Sequence, residues 1–357
     1  YRALTFLVVS CPCALVVSVP LSFFGGIGGA SRKGILIKGG NYMDALAHID
    51  TVVLDKTGTL TQGTFAVEAI HPDELSEKEL LHLAAHVEHF SHHPIAVALQ
   101  GAYQHVGDGC TTNHVHEVVG KGIVADVNGH RVAVGNERMM EAEGATLHPC
   151  KRCEGHAGTV VHVAIDGRYA GHVVISDQVK ADASEALRAL RQLGVKQTVM
   201  LTGDKEAVAR QVALQVGIDS YAAELLPADK VDRVERLIQQ QSQEKGTLAF
   251  VGDGINDAPV LARADVGIAM GAMGSDAAID AADVVLMDDK PSKIAEAIRI
   301  ARRTIANARQ NVVFAIVVKA LVLLLASVGV ATMGMAVFAD VGVMVLCVLN
   351  SMRTLRV

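Results

Sequence analysis

The stretch Asp55-Lys56-Thr57-Gly58-Thr59-Leu60-Thr61 follows a short β-branched run, Thr51-Val52-Val53-Leu54. That run reads as a buried strand. Asp55 therefore stands where a strand ends and a glycine-containing turn begins. In an open parallel sheet, ligands bind in the crevice outside the carboxyl ends of the strands. A carboxylate there can attack a phosphoryl group and form an acyl phosphate. A lone Asp-Lys is more simply an Asp capping a turn. The whole heptapeptide argues for chemistry, because the partners such an Asp needs occur downstream in order.

The heptapeptide resembles the phosphorylated motif of the P-type ATPases, in which Asp-Lys-Thr-Gly-Thr carries the acceptor Asp. The resemblance extends over the whole chain. It implies an α/β architecture: a haloacid-dehalogenase-like, doubly wound phosphorylation domain with an inserted α+β nucleotide-binding domain, flanked by transmembrane helices.

Composition sets the outer bounds. The chain has 357 residues, enough for two or three domains. Half of the residues are hydrophobic, and the excess is concentrated at the two ends. A net charge of −6 makes nucleic acid a poor partner. The six cysteines form no evident disulfide framework. A reducing cytosol suits the soluble part. The first residue is Tyr and the opening segment already reads as the inside of a span. The chain is thus expected to be the C-terminal part of a longer protein.

Residues 1–24 read as a transmembrane helix, since Ala3 to Phe24 contains no charge and about 20 apolar residues cross a bilayer. It holds Cys11-Pro12-Cys13. Pro12 removes a backbone donor and frees carbonyls near mid-span. Two thiolates beside it make a soft metal site, although buried free cysteines are also ordinary packing residues. The triplet resembles the intramembrane motif of the heavy-metal P-type ATPases. Arg32, Lys33 and Lys38 follow, so residues 25–50 form a cytosolic connector by the positive-inside rule.

Residues 51–64 begin the phosphorylation domain. Residues 65–175 interrupt it with a different pattern, a helical hairpin or broken helix over 77–102 followed by short strands. The family resemblance makes this insert the nucleotide-binding domain. Ser91-His92-His93-Pro94 resembles a Ser-x-His-Pro loop, with His93 meeting adenine beside Pro94 and with Glu88 upstream. Gly120-Lys121-Gly122 resembles a Gly-x-Gly turn, and Gly135-Asn136 a Gly-Asn pair. There is no Gly-x-x-x-x-Gly-Lys-Ser/Thr, so this is no P-loop enzyme. His82, His86, His89 and His93 recur at helical spacing, as either a metal-binding stripe or a solvated helix face. His148-Pro149-Cys150-Lys151-Arg152-Cys153 is an inserted loop with a lone Cys-x-x-Cys, a weak zinc or redox signal.

Residues 176–297 return to alternating helix and strand. Strands end in Thr202-Gly203-Asp204 and in Gly252-Asp253-Gly254-Ile255-Asn256-Asp257, and Lys230 lies near a helix start. Motifs at strand ends and helix starts can converge on one crevice. By the resemblance, Asp55 is the nucleophile and Thr202 and Lys230 hold the transferring phosphoryl group. Lys56, Gly203, Asp204 and Asn256 complete the catalytic set. Mg²⁺ is bound by Asp55, Asp253 and the Thr57 carbonyl, with Asp257 in support. ATP and Mg²⁺ are the implied cofactors. Phosphatases of this fold commonly place a second Asp two residues after the nucleophile. Here that position is Thr57, which cannot activate water, so the acyl phosphate persists. The family's hydrolysis trigger, a Thr-Gly-Glu loop of an actuator domain, does not occur in this chain. The expected partners are therefore an N-terminal actuator and further spans of the same protein, the lipid bilayer and the transported ion.

Residues 298–357 form a C-terminal transmembrane pair, with Lys319 in one span and Asp340 in the other. A charge within a span is a functional candidate by default, although Lys319 can snorkel and Asp340 stands near its span's start. Cys11, Cys13 and Asp340, with Lys319 as counter-charge, form the expected ion site. Cysteine plus carboxylate suits Zn²⁺, Cd²⁺ or Pb²⁺. The Lys and the Asp340-Val341-Gly342 pattern resemble the zinc/cadmium/lead exporters. A Cu(I)/Ag(I) pump is the alternative, given Met333, Met335 and Met344. A soluble phosphatase of the same fold and a non-catalytic metal sensor are the remaining readings. The first is disfavoured by Thr57 and three spans, the second by the intact catalytic set. The expected location is the plasma (inner) membrane with the catalytic domains in the cytosol.

Overall fold

The computed structural model describes residues 12–91, 93–103, 109–148, 150, 158–241, 246–253, 257–271, 276–330 and 332–356. In chain order, α1 (Cys13–Arg32) leads through β1 (Ile35–Ile37) and α2 (Gly40–Ala47) to β2 (Ile49–Asp55). Then follow β3 (Thr61–Pro72), α3 (Glu77–Glu88), α4 (Pro94–Ala102), β4 (Thr112–Val118), β5 (Gly122–Val127) and β6 (His130–Gly135). After these come α5 (Glu137–Ala142), β7 (Thr159–Ile165), β8 (Arg168–Val179), α6 (Ala183–Gln192) and β9 (Gln197–Leu201). Next are α7 (Glu206–Val216), β10 (Ser220–Ala222), α8 (Pro227–Gln241), β11 (Thr247–Gly252), α9 (Ala258–Arg263) and β12 (Val266–Met270). The chain ends with α10 (Asp276–Ala281), β13 (Val284–Leu286), α11 (Ser292–Ser327) and α12 (Met333–Ser351).

The chain divides into two units. One comprises residues 1–60, 180–204 and 213–357, the other residues 61–179 and 205–212. The first contains a seven-stranded sheet in the order β1-β13-β12-β11-β2-β9-β10. All pairings are parallel except β1 with β13. Its central strands are buried on both faces and so read as continuous apolar runs rather than alternating ones. Val52, Val53, Leu54, Ala249, Phe250 and Val251 are almost inaccessible.

The second unit is a six-stranded antiparallel sheet, β3-β8-β7-β6-β5-β4. Its side chains alternate between faces, as the strand period of two requires. Ile123, Ala125, Val132 and Val134 pack with Leu80, Ala84 and Leu99 of α3 and α4. Val124 and Ala133 point the other way, to Met139 and Met140 of α5. Ser76 starts α3 with a reciprocal cap: its hydroxyl accepts from Glu79 N–H, and the Glu79 carboxylate accepts from Ser76 N–H. Such a box satisfies two otherwise orphaned donors.

Among the described residues, α1, α11 and the α12 region (Met333–Arg356) are long and apolar enough to cross a membrane. The basic stretch with Arg302, Arg303 and Arg309 and the apolar stretch that follows it form one continuous helix, α11. No Gly or Pro interrupts 292–327, so nothing breaks the helix where its environment changes.

Candidate phosphorylation site

β2 lies between β9 and β11 with parallel register, Asp55 opposite Leu201 and Leu54 opposite Val251. Three neighbouring strands therefore end at the same level. Asp55 closes the first, Thr202-Gly203-Asp204 follows the second, and Gly252-Asp253 closes the third. Lys230, from the first turn of α8, donates to Asp55 Oδ1 at 2.5 Å and to Asp257 Oδ1 at 2.9 Å. Lys56 is paired with Asp204 and is itself buried. The Asp204 N–H donates to Thr202 Oγ1 at 3.1 Å, which fixes the turn after β9. Gly58 has φ +71°, and a Cβ there would stand 1.5 Å from Asp253 Oδ2. Glycine serves both demands, the left-handed backbone and the close carboxylate.

One carboxylate oxygen each from Asp55, Asp253 and Asp257 lies within 4.8 Å of the other two. Burial, and then the Asp257 carboxylate, raise the Asp55 carboxyl above the ordinary range against the pull of Lys230. Burial and Asp257 push Asp253 up to about 6. Burial alone lowers the Lys230 ammonium, but Asp55 and Asp257 outweigh it and hold it above its usual value. Lys230 serves Asp55 and Asp257, while Lys180, paired with Asp289, also acts on Asp253, so two ammoniums stand against four carboxylates. The surplus negative charge and the all-oxygen donor set fit a hard divalent cation such as Mg²⁺.

Lys180 was not legible as a site residue. Its buried ammonium donates to the Gly58 carbonyl at 2.5 Å and to the Asp289 carbonyl and carboxylate at 3.0 Å. It braces the turn after Asp55 against the segment after β13. Nothing in the sequence around Lys180 marks it, because its partners are remote in the chain. Asn256 lies outside the described residues.

In the second unit, Glu88 ends α3, is 6% exposed, and is pushed up to about 7 by burial and by Glu117. Its carbonyl accepts from Gln100 Nε2 at 2.7 Å. His93 is exposed and caps α4, its Nδ1 accepting from Ile95 N–H at 3.3 Å, with Pro94 in the first turn. Gly122 and Gly135 face each other across β5 and β6. A Cβ on Gly122 would meet the Val134 carbonyl at 2.1 Å, so no side chain fits between the strands. Asn136 Nδ2 donates to the Gly120 carbonyl at 2.9 Å, while its Oδ1 accepts from Met139 N–H at 3.2 Å. The Gly-x-Gly turn and the Gly-Asn pair are therefore one structure.

In the helical part, Lys319 Nζ is 3.5 Å from Asp340 Oδ1. Both line a cavity with Ala14, Ala315 and Ala339. Cys13 is the first residue of α1, beside Ala14; Cys11 lies outside the described residues. A buried polar network that sequence reading did not find joins the three helices. Ser22 bonds Asn307 at 3.0 Å and Ser351 at 2.9 Å, and Asn311 Nδ2 donates to Ser351 Oγ at 2.9 Å.

A family model described as haloacid dehalogenase-like hydrolase matches residues 49–265. The chain belongs to that family, the class its sheet and its strand-end aspartates define. Relatives that it resembles along nearly its whole length are metal-transporting ATPases. A zinc-transporting ATPase of Synechocystis sp. (strain ATCC 27184 / PCC 6803 / Kazusa) is 54% identical over 99% of this chain and 48% of its own length. A cadmium, zinc and cobalt-transporting ATPase of Bacillus subtilis (strain 168) is 53% identical over 100% of this chain and 50% of its own. The crystal structure of a zinc-transporting PIB-type ATPase in the E2.Pi state superposes with TM-score 0.90 at 39% identity. That match covers 100% of this chain and 58% of the solved one. The chain spans about half the length of the curated relatives it matches.

Proposed function

We propose that this chain carries the catalytic part of an ATP-driven exporter of a divalent soft metal ion, Zn²⁺, Cd²⁺ or Pb²⁺, working through an aspartyl phosphate. The observation that carries this reading is the Lys230 ammonium shared by Asp55 and Asp257 at the strand ends, with Asp253 beside them. An Asp55 carboxylate oxygen attacks the γ-phosphorus of ATP, the bond to the β-phosphate oxygen breaks, and ADP leaves. Water later cleaves the acyl phosphate to restore the carboxylate and release inorganic phosphate. Lys230 and Thr202 hold the transferring group, and the Lys56–Asp204 pair fixes the turns that flank it. Asp55, Asp253, Asp257 and the Thr57 carbonyl would hold Mg²⁺. When bound, that ion neutralises charge on the phosphoryl oxygens.

We assign ATP binding to residues 65–175, inserted between residues 51–64 and 176–297 of the phosphorylation domain. Glu88, His93 and Pro94 take the adenine side, and Gly120, Gly122, Gly135 and Asn136 provide a backbone close to the nucleotide. Cys11, Cys13 and Asp340 coordinate the transported ion, and Lys319 neutralises Asp340 once the ion has left. The 3.5 Å Lys319–Asp340 pair supports this exchange. The host membrane is the plasma (inner) membrane, with the catalytic units in the cytosol.

Two measurements test the reading. Labelling from radioactive ATP should be lost in Asp55→Asn; label that persists would overturn the nucleophile. ATP hydrolysis by the intact parent protein in membranes should be stimulated by Zn²⁺, Cd²⁺ or Pb²⁺, not by Cu(I) or Ag(I), and the stimulation should vanish in Asp340→Ala. Stimulation by the monovalent ions would leave the phosphoryl chemistry standing and reverse the cargo.

A further inference from the structure

The phosphoryl chemistry does not use the histidine pair on α3. His82 and His86 are one helical turn apart, so both rings leave the same face of the helix. Their ring centroids are 4.7 Å apart. On a solvated stripe both would stand in water, yet both are half-buried. Tyr103, just beyond α4, stacks on the His82 ring at 5.0 Å with 18° between the planes.

Cys110, two residues before β4, meets the same face. Its Sγ is 3.2 Å from His82 Nε2. Asn128, in the turn between β5 and β6, donates its side-chain N–H to that sulfur at 3.0 Å. The amide is held in place, because Asn128 Oδ1 accepts from Thr111 N–H and Asn128 N–H donates to the Thr111 carbonyl, both at 3.0 Å. One donor atom from each of His82, His86 and Cys110 lies within 4.8 Å of the other two.

We propose that His82, His86 and Cys110 form a transition-metal site on the nucleotide-binding unit, separate from the phosphorylation and transport sites. Two imidazoles and a thiolate suit Zn²⁺, Cd²⁺ or Co²⁺, with the fourth tetrahedral position open to water. Donor atoms around a tetrahedral zinc stand ~3.3–3.8 Å apart, given Zn–N and Zn–S bonds of about 2.0 and 2.3 Å. Cys110 Sγ and His82 Nε2 already stand at about that spacing, and the His86 donor lies within 4.8 Å of both. Binding forms one metal–sulfur and two metal–nitrogen bonds, and the Cys110 thiol proton leaves to solvent. Asn128 supports the sulfur from outside the coordination shell.

The site goes beyond the transport reading, since the ion is held here rather than carried. Its argument rests on the donor set alone, so its failure would leave that reading untouched. Metal would tie α3 to the segment leading into β4, with His82 six residues and His86 two residues before Glu88 on the same helix. Cytosolic metal would thereby stiffen the helix that presents Glu88.

The test uses the full chain in detergent, with Cys11, Cys13, Cys150 and Cys153 changed to Ser, titrated with Co²⁺. The background should bind one equivalent with the intense visible bands of tetrahedral cobalt and a thiolate-to-cobalt charge-transfer band in the near ultraviolet. Cys110→Ser should abolish the charge-transfer band. His82→Gln or His86→Gln should remove the tetrahedral bands while circular dichroism stays unchanged. Asn128→Gly, which keeps the positive φ of that turn, should weaken binding by about 10–100-fold, as loss of an outer-shell partner does. As a second readout, Zn²⁺ should raise the melting temperature of the background and not of Cys110→Ser. A folded background without the charge-transfer band, or a band that survives Cys110→Ser, overturns the proposal.

Discussion

At Gly58, two demands meet in one residue. The backbone is left-handed and the Asp253 carboxylate occupies the space where a Cβ would stand. A left-handed non-glycine residue alone costs about 1–3 kcal/mol, and the contact must be relieved by moving Asp253. Gly58→Ala should therefore slow phosphoenzyme formation at least ~10-fold. Wild-type labelling in that variant would mean that Asp253 is not held against the turn. A second residue couples to pH. His172 is buried, with Nδ1 2.9 Å from the Tyr169 hydroxyl, which also meets His162 Nδ1 at 3.0 Å. Burial, and then His71 and His162, push His172 down to about 4. The unfolded ring takes its proton near 6.5 and the folded ring only near 4. The stability of the neutral ring is thus complete above pH 6.5 and is lost as pH falls toward 4. The loss amounts to about 3 kcal/mol for the unit. Urea unfolding at pH 7 and pH 5 should show about 2 kcal/mol of it, and His172→Gln should flatten it. Equal losses in both proteins would assign the acid sensitivity elsewhere.

Between elements, contacts depend on small or single side chains. A Cβ on Gly26 would meet Thr304 Oγ1 at 2.2 Å, and one on Gly25 would meet Thr354 Oγ1 at 2.1 Å. α1 thus approaches α11 and the turn after α12 through its glycines, as helices in lipid commonly do. Gly26→Leu should force α1 away, break the Ser22–Asn307 bond and abolish metal-stimulated turnover, while Asp55 still takes label from ATP. Loss of both activities together would point to misfolding instead. Lys180 is the corresponding contact at the sheet. Removing a buried ammonium from a paired carboxylate costs about 3–5 kcal/mol. Lys180→Met should destabilise the α/β unit by that amount in thermal unfolding, and an unchanged transition would deny it a bracing role. Strand β2 and helices α3 and α8 were legible because their signals are local. Strands β10, β12 and β13 were not, because short buried runs carry no period of their own.

For the whole molecule, two units with separate hydrophobic cores imply two responses to ligands. A non-hydrolysable ATP analogue at one hundred times its Kd should stabilise the nucleotide-binding unit by about 2.7 kcal/mol. Mg²⁺ with a phosphate mimic should act on the unit that carries Asp55. Calorimetry resolves the two, and a single transition shifted equally by either ligand would show one cooperative block instead.

The amino-acid order by itself determined the strand that ends in Asp55, the order of the strand-end motifs that follow it and, among the described residues, the number of apolar spans. These are short-range properties: a strand end, a turn glycine, a helix start, a run of apolar residues. Only the tertiary structure decided that Lys230 bridges Asp55 and Asp257, and that Lys180 reaches Gly58 and Asp289. The same holds for the Ser22, Asn307, Asn311 and Ser351 network, for the Gly122–Gly135 contact, and for the approach of Cys110 to His82 and His86. Each joins residues far apart in the chain whose local sequence is ordinary. Their meeting depends on sheet order and helix packing, which are set by burial summed over the whole fold and not by any one stretch.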